Sequence, residues 1–440
     1  MSRRGSCSIG ALAAVALLVS GCEQGSPLDQ ALREPVIREI PHAGVRRDAP
    51  PLAERGNAAF QSATFDDEGK LLVTAPFMGP SGVQVWDAKT GALVTSINAS
   101  VPDKLWMIDS RRQRLLAYKP SGRGLHLFDL RTGRDISTIP DEAGKPARAA
   151  GLTADGNEVL LFKPGWLEVW QLDPPALARR AESPLPPDRY FPGCVGGIPS
   201  TYNDKSCWEW SPDRRTLALA YTPVFSPTSQ SHFVLIDVAT LETRELMLPT
   251  ERKSRWLAAF AFSPDGQELA VGTDQELLIY DRASGRWGPT IQGDHKRNPY
   301  LGAMRFTADG SRVIALGDLT QVSVYDVASG KRVGRRETFD GDEGDLEFVF
   351  RVSLDGHRIV LYHFVSDTFE VLDGRDASRL GWVCPYFCNA KHNPEEAPFA
   401  VSPDGESVAV SHRRGTAVWN VATDSLKFAL HDPQRPPLQR

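Results

Sequence analysis

Hydrophobic and polar positions follow one order eight times along the chain: an apolar residue, a tight polar turn, two short β-like runs, then a second polar turn. The clearest copy is FAFSPDGQELAVGTDQELLIYDRASGR, Phe260 to Arg286. The first turn recurs as FDDEG at Phe65, IDSRR at Ile108, LTADG at Leu152, WSPDR at Trp210, FSPDG at Phe262, FTADG at Phe306, VSLDG at Val352 and VSPDG at Val401. A period of roughly 43 to 58 residues makes each copy a supersecondary unit that stacks on its neighbours. Apolar spacing of three and four nowhere runs for more than two turns outside the extreme N-terminus, so the pattern predicts an all-β chain.

Residue types in the turns explain the spelling. Pro264 presets φ for a turn's second position, Asp265 bonds its local backbone, and Gly266 accepts a left-handed conformation. Downstream, the run LLIYD before Gly285 has equivalents in VQVWD (Val83 to Asp87), LHLFD (Leu125 to Asp129), LEVWQ (Leu167 to Gln171), FVLID (Phe233 to Asp237), VSVYD (Val322 to Asp326), FEVLD (Phe369 to Asp373) and TAVWN (Thr416 to Asn420).

These repeats resemble β-propeller repeats of the bacterial WD-repeat and related SPDG kind, from about Ala63 to Leu430. The family's namesake Trp, just before the strand-ending Asp, corresponds to Trp86, Phe128, Trp170, Ile236, Tyr280, Tyr325, Leu372 and Trp419. A large side chain there fits face-to-face packing of four-stranded sheets. The Gly-His dipeptide that often opens eukaryotic WD-repeats is missing at the matching positions, so that family's Asp-His-Ser-Trp tetrad is not carried over. Arg112 and Arg214 replace the turn glycine in copies two and four, which predicts a different bend in both. Eight copies predict one propeller of eight four-stranded blades, with seven as the alternative. The last copy has its own outer-strand candidate in Leu426 to Asp432, while VIREIP, Val36 to Pro41, offers an edge strand to clasp the ring. The expected organisation is a signal over 1–21, a tether over 22–57, the propeller over 58–432 and a tail over 433–440.

The N-terminus reads as an address. Arg3 and Arg4 precede an apolar run, Ile9 to Val19, that is too short to span a bilayer. Val19-Ser20-Gly21-Cys22 resembles the bacterial lipobox, which implies cleavage before a lipidated Cys22. Acyl chains contribute about 0.8 kcal/mol per buried methylene, and several together anchor stably. Glu23 after the cysteine resembles outer-membrane sorting, so a lipid-anchored protein of the bacterial cell envelope, at the outer membrane, is expected. The charged, proline-rich stretch from Glu23 to about Asn57 lacks the apolar area to offset its ordering entropy and reads as a flexible tether.

Among the six cysteines, Cys7 leaves with the signal and Cys22 is lipidated. Cys194, Cys207, Cys384 and Cys388 remain, and four cysteines in an oxidising compartment permit three pairings. Local pairing is favoured, because the two pairs fall in inserts before copies four and eight. A Cys194 to Cys207 bridge contributes roughly 3 kcal/mol by restricting the unfolded chain, while in CPYFC a strained Cys384 to Cys388 bridge competes with free thiols. A net charge of −5 argues against nucleic-acid binding.

Loop length carries the functional clue. Both turn types within a copy are short and lie on one face of a propeller; the long connections gather on the other. They include the segment 180–207, Pro249 to Trp256, Gly293 to Tyr300, Phe339 to Glu347 and Gly381 to Glu396. Binding residues concentrate on loops held by a rigid scaffold, with aromatic and Arg anchors favoured. The candidates for partner binding are Tyr190, Phe191, Arg255, Trp256, Tyr300, Trp382, Tyr386 and Phe387; the alternative for each is packing of its own loop. Lys253, Arg255, Lys296, Arg297, Arg413 and Arg414 offer a basic patch. The acidic loop of Asp340, Asp342, Glu343 and Asp345 departs from calcium-loop spacing.

No metal or cofactor is expected, and the sequence has no HExxH, GxSxG, P-loop or kinase pattern. His357, His363, His392 and His412 are near one another only in sequence, and structural hydrogen bonding is the simpler role. Two functions are weighed. The first is a non-catalytic, monomeric, lipid-anchored scaffold for a protein, peptide or envelope polymer. The second is a periplasmic propeller enzyme with its site in the central channel, lactonase-like or using a quinone cofactor; the Trp that follows the second turn in quinoprotein repeats occurs only at Trp287.

Overall fold

The Ser-Pro-Asp-Gly sequence reverses the chain because its side chains close on its own backbone. Ser263 Oγ donates to Asp265 Oδ1 (2.6 Å), the Glu268 amide donates back to Ser263 Oγ (2.8 Å), the Gln267 amide donates to Asp265 Oδ1 (3.0 Å), and Gly266 adopts a φ of 70°. Hydroxyl and carboxylate thereby satisfy amides that the turn removes from the strand ladder. The same clip joins Thr153 to Asp155, Ser211 to Asp213, Thr307 to Asp309, Ser353 to Asp355 and Ser402 to Asp404.

Copy four corrects the sequence expectation. Arg214 itself adopts a φ of 52° at the glycine position, so this turn bends like the others. Its guanidinium donates to Leu152 O of the preceding copy (3.2 Å), which offsets part of the roughly 1 kcal/mol that a left-handed non-glycine residue costs. In copy two the left-handed residue is Gln113 (φ 51°) rather than Arg112, and that turn does differ.

In the computed structural model these turns join 32 strands into eight antiparallel sheets of four, each a simple meander in sequence order. The structure describes residues 62–75, 82–99, 107–109, 112–118, 124–140, 148–163, 165–184, 207–221, 232–249, 257–273, 276–292, 301–317, 321–337, 348–363, 368–383, 399–412 and 415–430. The signal, the tether with VIREIP, and the C-terminal tail lie outside them. The eight blades span residues 62–97, 107–139, 148–182, 207–245, 257–292, 301–337, 348–383 and 399–430. No helix occurs among the described residues.

The third and fourth strands of a blade are joined by the second turn. There Asp87 Oδ1 accepts the Thr90 amide (2.7 Å) and hydroxyl (2.8 Å), and Gly91 is left-handed. In seven blades the outermost strand slips register just before the namesake position, for example between Val85 and Trp86, a bulge that bends the outer strand. The side chain at that position is buried in every blade but the third, where Trp170 is half-buried.

Apolar clusters span all eight seams between blades, each drawing its members from neighbouring sheets. The last seam closes the ring: Leu72, Trp86 and Ala88 of blade one pack with Ala400, Ala409, Val418 and Leu430 of blade eight. The ring has eight blades rather than seven, and among the described residues it closes by side-chain packing without an exchanged strand. Proline and glycine turns mesh around the axis as well. Pro212, Pro264 and Pro403 sit against Gly266, Gly310 and Gly69 of the following blades, where a β-carbon on the glycine would meet the ring at 3.4 to 3.6 Å.

Candidate interaction face and central channel

A four-stranded meander places its first and third turns at one end and its middle hairpin and exit at the other. Both clipped turn types therefore share one face, and every connection long enough to carry a partner site leaves from the opposite face. Of the predicted anchors, Trp382 is described: it lies in the outermost strand of blade seven (Arg379–Val383), opposite Glu370, half-buried, with the Arg379 guanidinium 5.7 Å from its ring. It stands at the root of the Gly381 to Glu396 connection rather than in a loop. Tyr190, Phe191, Arg255, Trp256, Tyr300, Tyr386 and Phe387 lie outside the described residues, as do Cys22, Cys194, Cys384 and Cys388 and the acidic loop. Cys207 opens the innermost strand of blade four.

Sequence reasoning missed a second aromatic on the loop-rich face. Trp166, at the middle hairpin of blade three, is 41% exposed, with the Arg180 guanidinium 5.3 Å from its ring. Arg180 is held in turn by Glu168, a fully buried carboxylate that also accepts from Lys163 Nζ (2.9 Å) and Trp170 Nε1 (2.7 Å). Burial alone pushes Glu168 upward, but Lys163, Trp170 and Arg180 together hold its carboxyl below the usual range. A stacked, hydrogen-bonded Arg beside an exposed Trp forms a pre-ordered surface feature, because neither side chain must be immobilised again on contact.

The second feature missed lies on the axis. The innermost strands end on matching residues, Trp210, Phe306 and Val352, paired respectively with Leu217, Val313 and Ile359. One residue earlier stand Glu209, Arg305 and Arg351 of blades four, six and seven. At the same level the other blades carry Thr64, Met107, Gly151, Ala261 and Ala400. All three charged side chains are partly open to solvent. Yet the ring surrounds them: burial pushes the Glu209 carboxyl up to about 7, opposed only in part by Arg305, and burial lowers Arg351 to about 10. Glu209 and Arg305 stand on either side of blade five, whose residue at this level is Ala261. Aligning the copies in register reveals these positions; reading the copies one by one does not.

The ring of eight four-stranded blades, its clipped turns and its axial passage define a WD40-type β-propeller fold. Solved structures share it at low identity. The C-terminal WD40 domain of Sif2 aligns with a TM-score of 0.55 at 11% identity, over 81% of this chain and 93% of that one. The computationally designed Ika8 protein aligns with a TM-score of 0.54 at 15% identity, over 84% of this chain and 98% of that one. No protein-family model and no curated protein matches the sequence.

Proposed function

We propose that this protein is a non-catalytic scaffold of the bacterial cell envelope, anchored by lipid at Cys22, that binds a protein, peptide or envelope polymer through the face bearing its long connections. The observation that carries the reading is the partition of the ring. One face is finished by short turns whose amides are occupied by their own Asp, Ser and Thr side chains. Such turns leave little backbone to recruit. The opposite face receives all the long connections, with the Trp166–Arg180 pair ordered at its outer part and Trp382 at the root of another connection. A rigid ring presenting aromatic and Arg anchors on loops suits capture of a macromolecular surface.

Two experiments test this. Cys22→Ala should release the protein from the membrane fraction, and release of neither the cleaved nor the uncleaved form would remove the anchor from the proposal. Crosslinking in cells identifies the bound macromolecule. Trp256→Ala and Trp382→Ala should then each weaken recovery of that same partner at least tenfold, with the circular dichroism of the ring unchanged. Normal recovery with both would place the site elsewhere.

A further inference from the structure

We propose that the recess between blades five and six, on the face finished by the short turns, binds the guanidinium group of free arginine or of an arginine side chain in a peptide, against Glu268. The site lies on the opposite face from the long connections and goes beyond the loop-face reading. It is a cleft of about 410 Å³, in the size range of small-ligand sites, lined by Glu268, Asp281 and Gly288 of blade five and by Gly310, Asp326 and Val327 of blade six. Equivalent positions in other copies show what such a recess takes. Glu268 opens the second strand of its blade, opposite the strand-ending Asp281; Glu158, Thr216 and Ser407 hold that place in blades three, four and eight. Each of those three receives a cation from the chain. Arg179 pairs with Glu158 at 2.5 Å, and Lys427 donates to Ser407 Oγ at 2.8 Å. At the seam between blades four and five, Arg282 reaches back from the second turn of blade five and donates to Thr216 Oγ1 at 2.6 Å and to Gly266 O.

The seam of blades five and six keeps the acid and omits the cations. Val327 follows Asp326 where Arg282 follows Asp281. In the outer-strand bulge, after the residue paired with the namesake aromatic, blade three has Ala178-Arg179 and blade eight Lys427-Phe428, whereas blade five has Gly288-Pro289. Among the described residues Glu268 has no hydrogen-bond or ion-pair partner. Burial, then the like charges of Asp265 and Asp281, raise its carboxyl above the ordinary 4.5. Arg312 is within electrostatic reach of Asp326, but its guanidinium donates to Arg375 O of blade seven. A cation set against Glu268 relieves this repulsion. Guanidinium suits it better than ammonium, because its fork of donors can use two acceptors as Arg282 does: Glu268 in place of Thr216, and the Gly310 carbonyl in place of Gly266. At the seam of blades one and two the same recess, about 300 Å³, has Leu71, Val94 and Leu130 at the places of Glu268, Gly288 and Val327, so building the recess does not require an acid.

L-Arginine and the blocked tripeptide acetyl-Gly-Arg-Gly-amide serve as probes, titrated separately into the full-length protein in detergent and followed by NMR of isotope-labelled Glu carboxyls. Saturable binding that shifts the Glu268 signal is expected for at least one of them, and the tighter binder identifies the source of the guanidinium. With the probe bound, the Glu268 carboxyl should titrate at lower pH, a readout independent of any variant. Glu268→Gln should weaken binding by about tenfold or more, the worth of one hydrogen bond to a charged group. Glu158→Gln, whose recess already has Arg179, should leave it unchanged. Val327→Arg supplies from within the chain what Arg282 supplies to the preceding seam, so it should abolish probe binding and raise the midpoint of thermal unfolding. No saturable binding of either probe, binding indifferent to Glu268→Gln, or full binding by Val327→Arg would overturn the proposal. The loop-face reading would stand in each of those cases, because its tests touch no residue of this recess.

Discussion

Blades one and eight are neighbours across the closing seam, and both carry Trp at the namesake position, yet they treat its indole differently. Trp86 Nε1 donates to Thr74 Oγ1 at 2.9 Å in a buried site. Trp419 Nε1 is buried without an acceptor, because Val410 occupies the place in blade eight that Thr74 has in blade one. Blade three finds a third arrangement, in which Leu161 stands at that place and Glu168 accepts from Trp170 instead. The bulk of the side chain is what the ring shares from copy to copy. Each blade satisfies the polar atom attached to that bulk separately, or leaves it unsatisfied.

Removing the bulk should therefore have the largest effect, and should be larger in blade one. Trp86 packs in the seam that closes the ring and Trp419 in the seam before it. Trp86→Ala should cost about 3–5 kcal/mol, by the cavity it opens and the Thr74 hydroxyl it strands. Trp419→Ala should cost roughly 1 kcal/mol less, since it also removes an unpaired buried N–H. Urea denaturation of the two variants measures the difference; equal losses would mean that the unpaired indole carries no penalty.

Exchanging the acceptors is the sharper and smaller test. Thr74→Val keeps the shape and orphans Trp86 Nε1, which should cost about 1–3 kcal/mol. The reverse change, Val410→Thr, should raise stability by up to about 1 kcal/mol by supplying the missing acceptor. The same change at the buried Val324, which packs in the seam between blades six and seven away from Trp419, should lower it. Stabilisation at Val324, or loss at Val410, would break the comparison.

These contrasts mark what the sequence makes legible. Eight spellings of one turn and eight strand endings suffice for the blades, their number and the partition of short and long connections, because each signal is local and repeated. The Ser263 and Thr307 clips were hidden because attention to Pro, Asp and Gly explains the bend without asking what the preceding hydroxyl does. Left-handed Arg214, Leu241, Ala377 and Asp424 occupy turn positions where other copies have Gly, held there by a ring that tolerates local strain. Glu209, Arg305 and Arg351 fall at one level, with Glu209 and Arg305 within electrostatic reach of each other, only when distant copies are laid in register around the ring. Trp166 gives no sign of exposure in sequence, since its strand reads like any other in the set.

The smallest effect carries the comparison into the first turns. At the place of the clip's Ser or Thr, blade one has Asp66, whose carboxyl accepts the Lys70 (2.7 Å) and Leu71 (2.9 Å) amides. Burial, reinforced by Glu68 and Asp67, outweighs those bonds and raises it above its ordinary 3.8. Asp309, in the Thr307 clip of blade six, runs the other way, pushed down to about 2 by the Thr307 hydroxyl and by the Ser311 amide and hydroxyl. The signs oppose. A raised acid destabilises the fold above its folded value and ceases to do so as pH falls through that value toward 3.8. A depressed acid contributes stability above its unfolded value, near 4, and loses it as pH falls toward about 2. Asp66→Asn, which keeps an acceptor and drops the charge, should therefore stabilise slightly at pH 7, with the gain gone by about pH 3. Asp309→Asn should destabilise slightly at pH 7 and match the unaltered protein near pH 2. Thermal unfolding of both across that range, with carboxyl carbon shifts followed by NMR, decides it. If both variants shifted in the same direction at pH 7, burial would not distinguish the blade-one turn from the clipped turns, and the two acids would differ only in their partners.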